Sequence, residues 1–411
     1  TMERETFEVE AGFRICDVDR QPGSESYNQC INLRGIGTDY ESARNLLDGN
    51  LINAESKNVI ILDRNNHLEF GIGFSNQQFD DKLHEYSFID SADYVNITEM
   101  IKADNHTNGN QYTGYLQHYS VIRSQHAITY GIRLNYFDLN EQLLVSPRLQ
   151  YAYMPDWDRD IVFRSAVGLY QQPPLYREFR NFEGKVDKTV KAQSSIHFIA
   201  GLDYNLSFGG RPFKFMAEAY YKFMYDVNPY DIDNVRIRYY ATNDARAHAA
   251  GLDFRISGEF IPGDESWFSL GLMRSREDLY FDDRGWIPRP TDQLVNFNIF
   301  FQDHIPNAPT YRVYLNFNFA SGLPFGPPGN PDNRNLFRGD SYQRVDIGFS
   351  KIFYLKKKFP ESIWLGLEIL NLTGRANNIS YYWVRDYNHT FYGVPNSLTT
   401  RFFNIKLIIK I

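Results

Sequence analysis

The sequence predicts an all-β protein: a transmembrane antiparallel β-barrel of about sixteen strands. Three observations carry the expectation. Apolar and polar residues alternate strictly over long windows, short and long connections alternate along the chain, and aromatic residues make up 16% of the 411 residues. Alternation at a period of two marks strands whose two faces meet different surroundings. The runs exceed the roughly five or six residues of an ordinary soluble strand. They reach the roughly 9–11 residues that a tilted strand needs to cross a bilayer. Many carry Tyr, Phe or Trp near their ends, where an interfacial girdle belongs, and their polar faces suit a wet lumen.

Outer-membrane barrels join strands by short periplasmic turns and longer outer loops in alternation. Here residues 16–54 read as a very long outer loop, 63–66 as a short turn, 89–110 as a long loop and 123–126 as a short turn. The next strand turns Tyr130, Ile132, Leu134 and Tyr136 to one face, with Arg133 and Asn135 opposite. The connection 138–142 breaks the rhythm, being brief where an outer loop is due. A short turn at 155–158 and a long loop at 171–191 follow, then Ile196, Phe198, Ala200, Leu202, Tyr204 and Leu206 against His197, Asp203 and Asn205. Beyond the turn at 208–211, Phe213, Phe215, Ala217, Ala219, Tyr221 and Phe223 oppose Lys214, Glu218 and Lys222. A long loop at 226–246 leads to Leu252, Phe254 and Ile256, and a short turn at 261–264 precedes a long loop at 274–290. Val295, Phe297, Ile299 and Phe301 are joined by a short turn at 303–307 to Tyr311, Val313, Leu315, Phe317 and Phe319. A Gly- and Pro-rich loop at 321–340 precedes Val345, Ile347 and Phe349; a short turn at 355–360 precedes Ile363, Leu365, Leu367 and Ile369. The long loop at 373–396 precedes the last strand, Phe403, Ile405, Leu407, Ile409 and Ile411. A soluble sandwich has no reason to alternate connection lengths in this way, and the exposed apolar band would drive it to aggregate.

Composition narrows the function. The net charge of −7 gives no basic surface for nucleic acid. No run approaches the roughly 20 apolar residues of a membrane helix. The opening Thr1-Met2-Glu3-Arg4-Glu5 has no secretory leader pattern.

Several segments resemble the C-terminal part of the barrel of TonB-dependent outer-membrane receptors, of the Bacteroidetes type. They include Asn32-Leu33-Arg34-Gly35-Ile36-Gly37-Thr38, Leu68-Glu69-Phe70-Gly71-Ile72-Gly73-Phe74 and Gly168-Leu169-Tyr170-Gln171-Gln172-Pro173-Pro174-Leu175-Tyr176-Arg177-Glu178. Further on come Ile287-Pro288-Arg289-Pro290-Thr291-Asp292-Gln293, Arg344-Val345-Asp346-Ile347-Gly348-Phe349-Ser350 and Leu370-Asn371-Leu372-Thr373-Gly374. The resemblance implies a barrel of about 22 strands closed by a plug. Residues 1–411 would be its C-terminal portion, with the plug and roughly six strands outside this chain. It also implies outer-membrane active transport of a scarce external ligand: an iron chelate, a vitamin, a peptide or a glycan. Energy would come from the TonB–ExbB–ExbD system through the plug. Other implied partners are lipopolysaccharide and outer-membrane lipid, with a surface lipoprotein able to dock on the long 16–54 loop. No cofactor, nucleic acid or enzymatic activity is expected. A passive porin of about sixteen strands is the alternative, and it predicts that this chain closes a barrel by itself. Ile411 stands where such proteins usually end in an aromatic residue.

Candidate site residues follow from residue chemistry. Tyr, Trp and Arg dominate recognition hot spots, so the loop residues Tyr176, Arg177, Arg180, Tyr230, Arg236, Tyr239, Trp286, Trp383 and Tyr392 are the ligand-binding candidates; for each, girdle or loop packing is the plainer role. Cys16 and Cys30 read as a loop disulfide in an oxidising compartment. The nine His are scattered without metal-ligand spacing, and no Gly-x-Ser-x-Gly elbow supports a catalytic serine. The pairs Asp231/Asp233, Glu277/Asp278 and Asp282/Asp283 read as solvated outer carboxylates. Lys356, Lys357 and Lys358 read as a basic periplasmic turn.

Overall fold

The structure, a computed structural model, describes residues 2–91, 94–233, 236–305, 307–327, 330–355, 360–385, 391–398 and 400–410. Sixteen strands form one antiparallel wall. They are β1 (Met2–Val18), β2 (Cys30–Ile61), β3 (Asn66–Ser91), β4 (Val95–Ile122), β5 (His126–Phe137), β6 (Gln142–Tyr153), β7 (Asp160–Gln172) and β8 (Gln193–Phe208). The second half comprises β9 (Arg211–Val227), β10 (Ala245–Ile261), β11 (Asp264–Leu279), β12 (Val295–Ile305), β13 (Ala308–Ala320), β14 (Tyr342–Tyr354), β15 (Ser362–Leu370) and β16 (Phe402–Lys410). Each pairs with its successor in chain order. Among the described residues no ladder joins β16 to β1. Residues 49–61 of β2 pair with β3 alone, because β1 meets β2 only from Asp48 upward.

The alternation sorts the two faces as the sequence predicts. Phe74, Tyr112 and Tyr136 share a row on the outer face, with ring centroids 5.3 and 6.4 Å apart along it. Leu116, Ile132, Leu134, Phe198, Tyr221, Leu365 and Leu407 are likewise exposed outward, which only a hydrocarbon surround makes favourable. On the inner face of β2 and β3, Asp39, Asn45, Asp81 and Glu85 are buried. Among the described residues no helix is long and apolar enough to cross a membrane.

Two expected outer loops are corrected. Most of residues 16–54 and 89–110 is strand: β2 runs for 32 residues, β3 for 26 and β4 for 28, well beyond what a bilayer requires. Above the bilayer both faces are polar or packed on other loops, so the apolar stripe that identifies a strand in sequence is missing there. The segment joining β1 to β2 is only 19–29, and Cys16–Cys30 clasps its base with Cα atoms 5.3 Å apart. The other long connections contain short elements of their own. These are a 3-10 turn Tyr176–Phe179, hairpin Tyr230–Asp233/Arg236–Tyr239, the pairing of Pro324–Phe325 with Phe337–Arg338, and hairpin Asn378–Arg385/Phe391–Ser397. Lys356, Lys357, Lys358 and Ile411 lie outside the described residues.

Candidate functional site

Two outer connections turn inward and settle on the lumenal face of β2–β4. The first, between β7 and β8, is anchored by Asp81 of β3. Its carboxylate accepts from the Tyr176 hydroxyl and from Arg180 Nη1, each at 2.9 Å, while the Tyr176 ring stacks on Phe79 at 4.7 Å. Gly184 presses against Leu83 and Ile101 of the wall at φ +78°, where a Cβ would come within 2.9 Å of both side chains. Glycine alone fits that approach and that backbone. Asn105 Nδ2 of β4 donates to the Gly184 carbonyl at 2.8 Å.

The second is the hairpin Tyr230–Asp233/Arg236–Tyr239. Arg236 is buried and forms ion pairs with Glu41 of β2 and, at 2.8 Å, with Asp233; its guanidinium also lies 4.9 Å over the Phe7 ring. Arg238 reaches Glu85 of β3 at 2.8 Å and Glu99 of β4 at 3.5 Å. Removing one partner from such a buried cluster leaves an uncompensated charge and costs about 3–5 kcal/mol, so the hairpin is held to the far wall by charge as much as by its ladder. The base of the hairpin is tied to the 321–341 connection and to β11: Arg334 donates to Asp231 at 2.8 Å and also to Glu277, and its Nη2 donates to the Tyr230 carbonyl at 2.7 Å.

A cavity of ≈ 760 Å³ remains between the two inward loops and the wall. Tyr176, Arg177, Arg180, Arg236 and Tyr239 all line it, joined by Arg238, Glu85, Glu3 and Phe79. Arg177 pairs with Glu3 at 2.8 Å near its opening. Arg236 Nε is buried with no hydrogen-bond partner among the described residues. Burial, with help from the Glu178 carboxylate, pushes the Tyr239 hydroxyl up to about 12, so it stays a neutral donor. Burial likewise raises Glu178 at the root of the first loop, despite hydrogen bonds from the Leu175 amide and Gln193 Nε2.

The remaining candidates lie elsewhere. Tyr230 faces Tyr239 at 5.7 Å across the hairpin. Trp286 sits on the outer face, with Arg246 over its ring at 5.2 Å and His248 at 4.5 Å. Trp383 lines a separate smaller pocket, and Tyr392 is exposed on the last outer hairpin. Sequence reasoning missed Arg238, Asp81 and Glu85. Arg238 was visible beside Arg236; the two acids were hidden in a stretch whose polarity suggested mere solvation. The carboxylates Asp231 and Glu277, expected to be solvated, are instead buried against Arg334: three connections that sequence leaves independent converge on that guanidinium. Among the described residues no cluster of His, Cys, Asp and Glu could hold a metal ion.

No protein-family model matches the sequence, and no curated protein matches it either. Solved structures do. The outer membrane transporter YddB from Escherichia coli aligns over 94% of this chain at 11% identity, with a TM-score of 0.56. The ferric yersiniabactin uptake receptor FyuA from Yersinia pestis aligns over 90% at 14% identity and 0.57. The copper transporter OprC aligns over 99% at 13% identity and 0.61. The chain spans 56%, 58% and 66% of those three chains respectively. Its fold is that of the barrel wall of TonB-dependent outer-membrane receptors and transporters.

Proposed function

We propose that this chain supplies barrel wall and outer binding loops to an outer-membrane active transporter energised through TonB. The observation that carries the reading is the pair of inward loops. They settle on the lumenal face and leave a cavity of ≈ 760 Å³ lined by arginines, carboxylates and tyrosines, a size and chemistry suited to a polar ligand. Further strands would complete the wall between β16 and β1, and a plug would fill it, as the sequence resemblance implies. The coverage of little over half of the related chains supports this. The passive porin is the second reading, because an inward-folded loop is also how a porin narrows its pore; among the described residues no ladder between β16 and β1 closes such a wall.

Uptake distinguishes the two. Cells carrying or lacking the gene are offered ferric chelates, cobalamin, oligopeptides and oligosaccharides, with and without a protonophore. Saturable, gene-dependent uptake of one class that stops when the proton-motive force collapses is the expected result. Uptake that rises linearly with concentration and ignores the protonophore would overturn it in favour of the pore.

A further inference from the structure

Just above the apolar band, the outward face of β10 and β11 turns basic. From the 261–264 turn upward, β10 presents Phe260, Ile256, Phe254 and Leu252 to the lipid, and β11 sets Phe268, Leu270 and Leu272 beside the last three. From Phe260 to Leu252 the strand covers about 27 Å, or about 21 Å of height at the usual tilt of a barrel strand. An apolar band is about 25 Å tall in such barrels, so here it ends at the exposed pair Leu252 and Leu272. The ladder then continues on the same face with Ala250↔Arg274, His248↔Arg276 and Arg246↔Asp278. Three arginines stand at the level of the outer-leaflet headgroups.

They differ in what they already hold. Arg246 donates to Asp278 through Nε at 3.0 Å and Nη2 at 2.8 Å, and its guanidinium lies 5.2 Å over the Trp286 ring. Arg274 is exposed and Arg276 half-buried, and neither makes a salt bridge or hydrogen bond among the described residues. Being two positions apart on one strand, their Cα atoms lie about 7 Å from each other, so both guanidinium groups can reach one phosphate. Trp286 flanks the patch, with the His248 ring 4.5 Å from it and 6.2 Å from Tyr221. Trp and Tyr are the side chains that settle at headgroup level. The neighbouring strands are apolar at this height: Phe223 of β9 and Ile196 of β8 continue the row of His248 and Arg276, and Val295 of β12 stands beside Leu272. The charge is therefore a local patch and not part of a girdle. A cation at the edge of the hydrocarbon finds its counter-ion among anionic headgroups, and phosphate is the group that a guanidinium binds in bidentate fashion.

We propose that Arg274 and Arg276, flanked by Trp286, bind the phosphate of an outer-leaflet lipid headgroup, with the acyl chains lying on Leu252, Phe254 and Leu272 below. The site requires only that the wall lies in the outer membrane. It uses neither inward loop, so its failure leaves the transport reading standing, and failure of that reading leaves this site standing.

Full-length protein is extracted in mild detergent, stripped of lipid and offered one probe lipid at a time in mixed micelles, and retained lipid is counted by native mass spectrometry. The probes are lipid A and lipid A freed of its phosphates, with inorganic phosphate as competitor. Lipid A should be retained and its phosphate-free form largely lost. Arg274→Gln and Arg276→Gln should each weaken retention roughly fivefold, and together roughly twentyfold or more, as basic residues near an anionic surface do. Lysine at both positions should keep most of it. Lys102→Gln removes an exposed cation of β4 well above Tyr112 and should change nothing. Heat-modifiable migration confirms that each variant is folded. Equal retention of the two lipids, a double variant that retains lipid A as the parent does, or an equal effect of Lys102→Gln would each overturn the proposal. So would displacement of lipid A by millimolar inorganic phosphate, which would mark a site for a free anion.

Discussion

Glu178 shows how much one buried side chain can report. It is 5% exposed, accepts from the Leu175 amide and Gln193 Nε2, and its own carbonyl accepts from Asn228 Nδ2 at 2.8 Å, which links the two inward loops at their roots. Burial raises its carboxyl above the ordinary glutamate value. A group whose acidity is weakened on docking favours the docked state most below its undocked value, near pH 4.3 on the reference scale (about 4.3). That contribution is lost as pH rises through the raised value. Amide protection factors in residues 173–192, measured against the intrinsic exchange rate at each pH, should therefore be highest at acid pH and fall toward neutrality, and Glu178→Gln should flatten the dependence. Protection that instead grows with pH would refute this account. The same residue marks what sequence can and cannot show. Tyr176, Arg177, Arg180, Arg236 and Tyr239 are legible as candidates because their chemistry is that of recognition, and all five line one cavity. Their partners Asp81 and Glu85 are not, since a carboxylate in a polar stretch looks the same whether it faces water or an arginine from the opposite wall.

At the scale of elements, legibility follows the lipid. Wherever a strand crosses the bilayer its apolar stripe is exposed in the sequence, and the connection 138–142 is as brief in the fold as in the chain. Where β2, β3 and β4 rise above it the stripe vanishes, and loops are expected in place of strands. The ladder itself holds those tall segments: β3 and β4 stay in register from Asn66↔Ser120 to Ser87↔Glu99. The top of the β1–β2 hairpin is the exception. Register shifts fall between Ile15 and Cys16 and between Asp17 and Val18, so its pairing is weakest where Cys16–Cys30 sits. Closing a loop of this size with a disulfide contributes about 3 kcal/mol. Cys16→Ser with Cys30→Ser should accelerate amide exchange around residues 14–35 by roughly two orders of magnitude, that energy expressed as an equilibrium. The unfolding temperature of the wall should hardly move. A large drop in that temperature would mean that the clasp supports the wall and not only the hairpin tip.

For the whole molecule the deciding question is what lies between β16 and β2 at bilayer height. The ladder β15–β16 spans Ser362↔Lys410 to Leu370↔Phe402, so β16 runs from the outer end toward the turns, and β2 runs the same way after the 19–29 connection. Two strands of the same direction cannot be neighbours in an all-antiparallel wall. β1 borders β2 on that side, pairing with it from Met2↔Asp48 upward. A barrel of about 22 strands would place about six further strands beside β1 in that gap. At about 4.8 Å per strand these hold the two edges tens of ångströms apart along the wall. A closed porin would instead leave β1 alone between them. Cysteines introduced at Ile52 of β2 and Leu407 of β16, both exposed, give the measurement. In full-length protein in outer membranes, a crosslinker of about 8 Å, under two strand spacings, should fail to join them, while a control pair on the neighbouring strands β15 and β16, Leu365 and Leu407, joins readily. Efficient joining of Ile52 to Leu407 would show that sixteen strands close the wall, and the inward loops would then be the constriction of a passive pore.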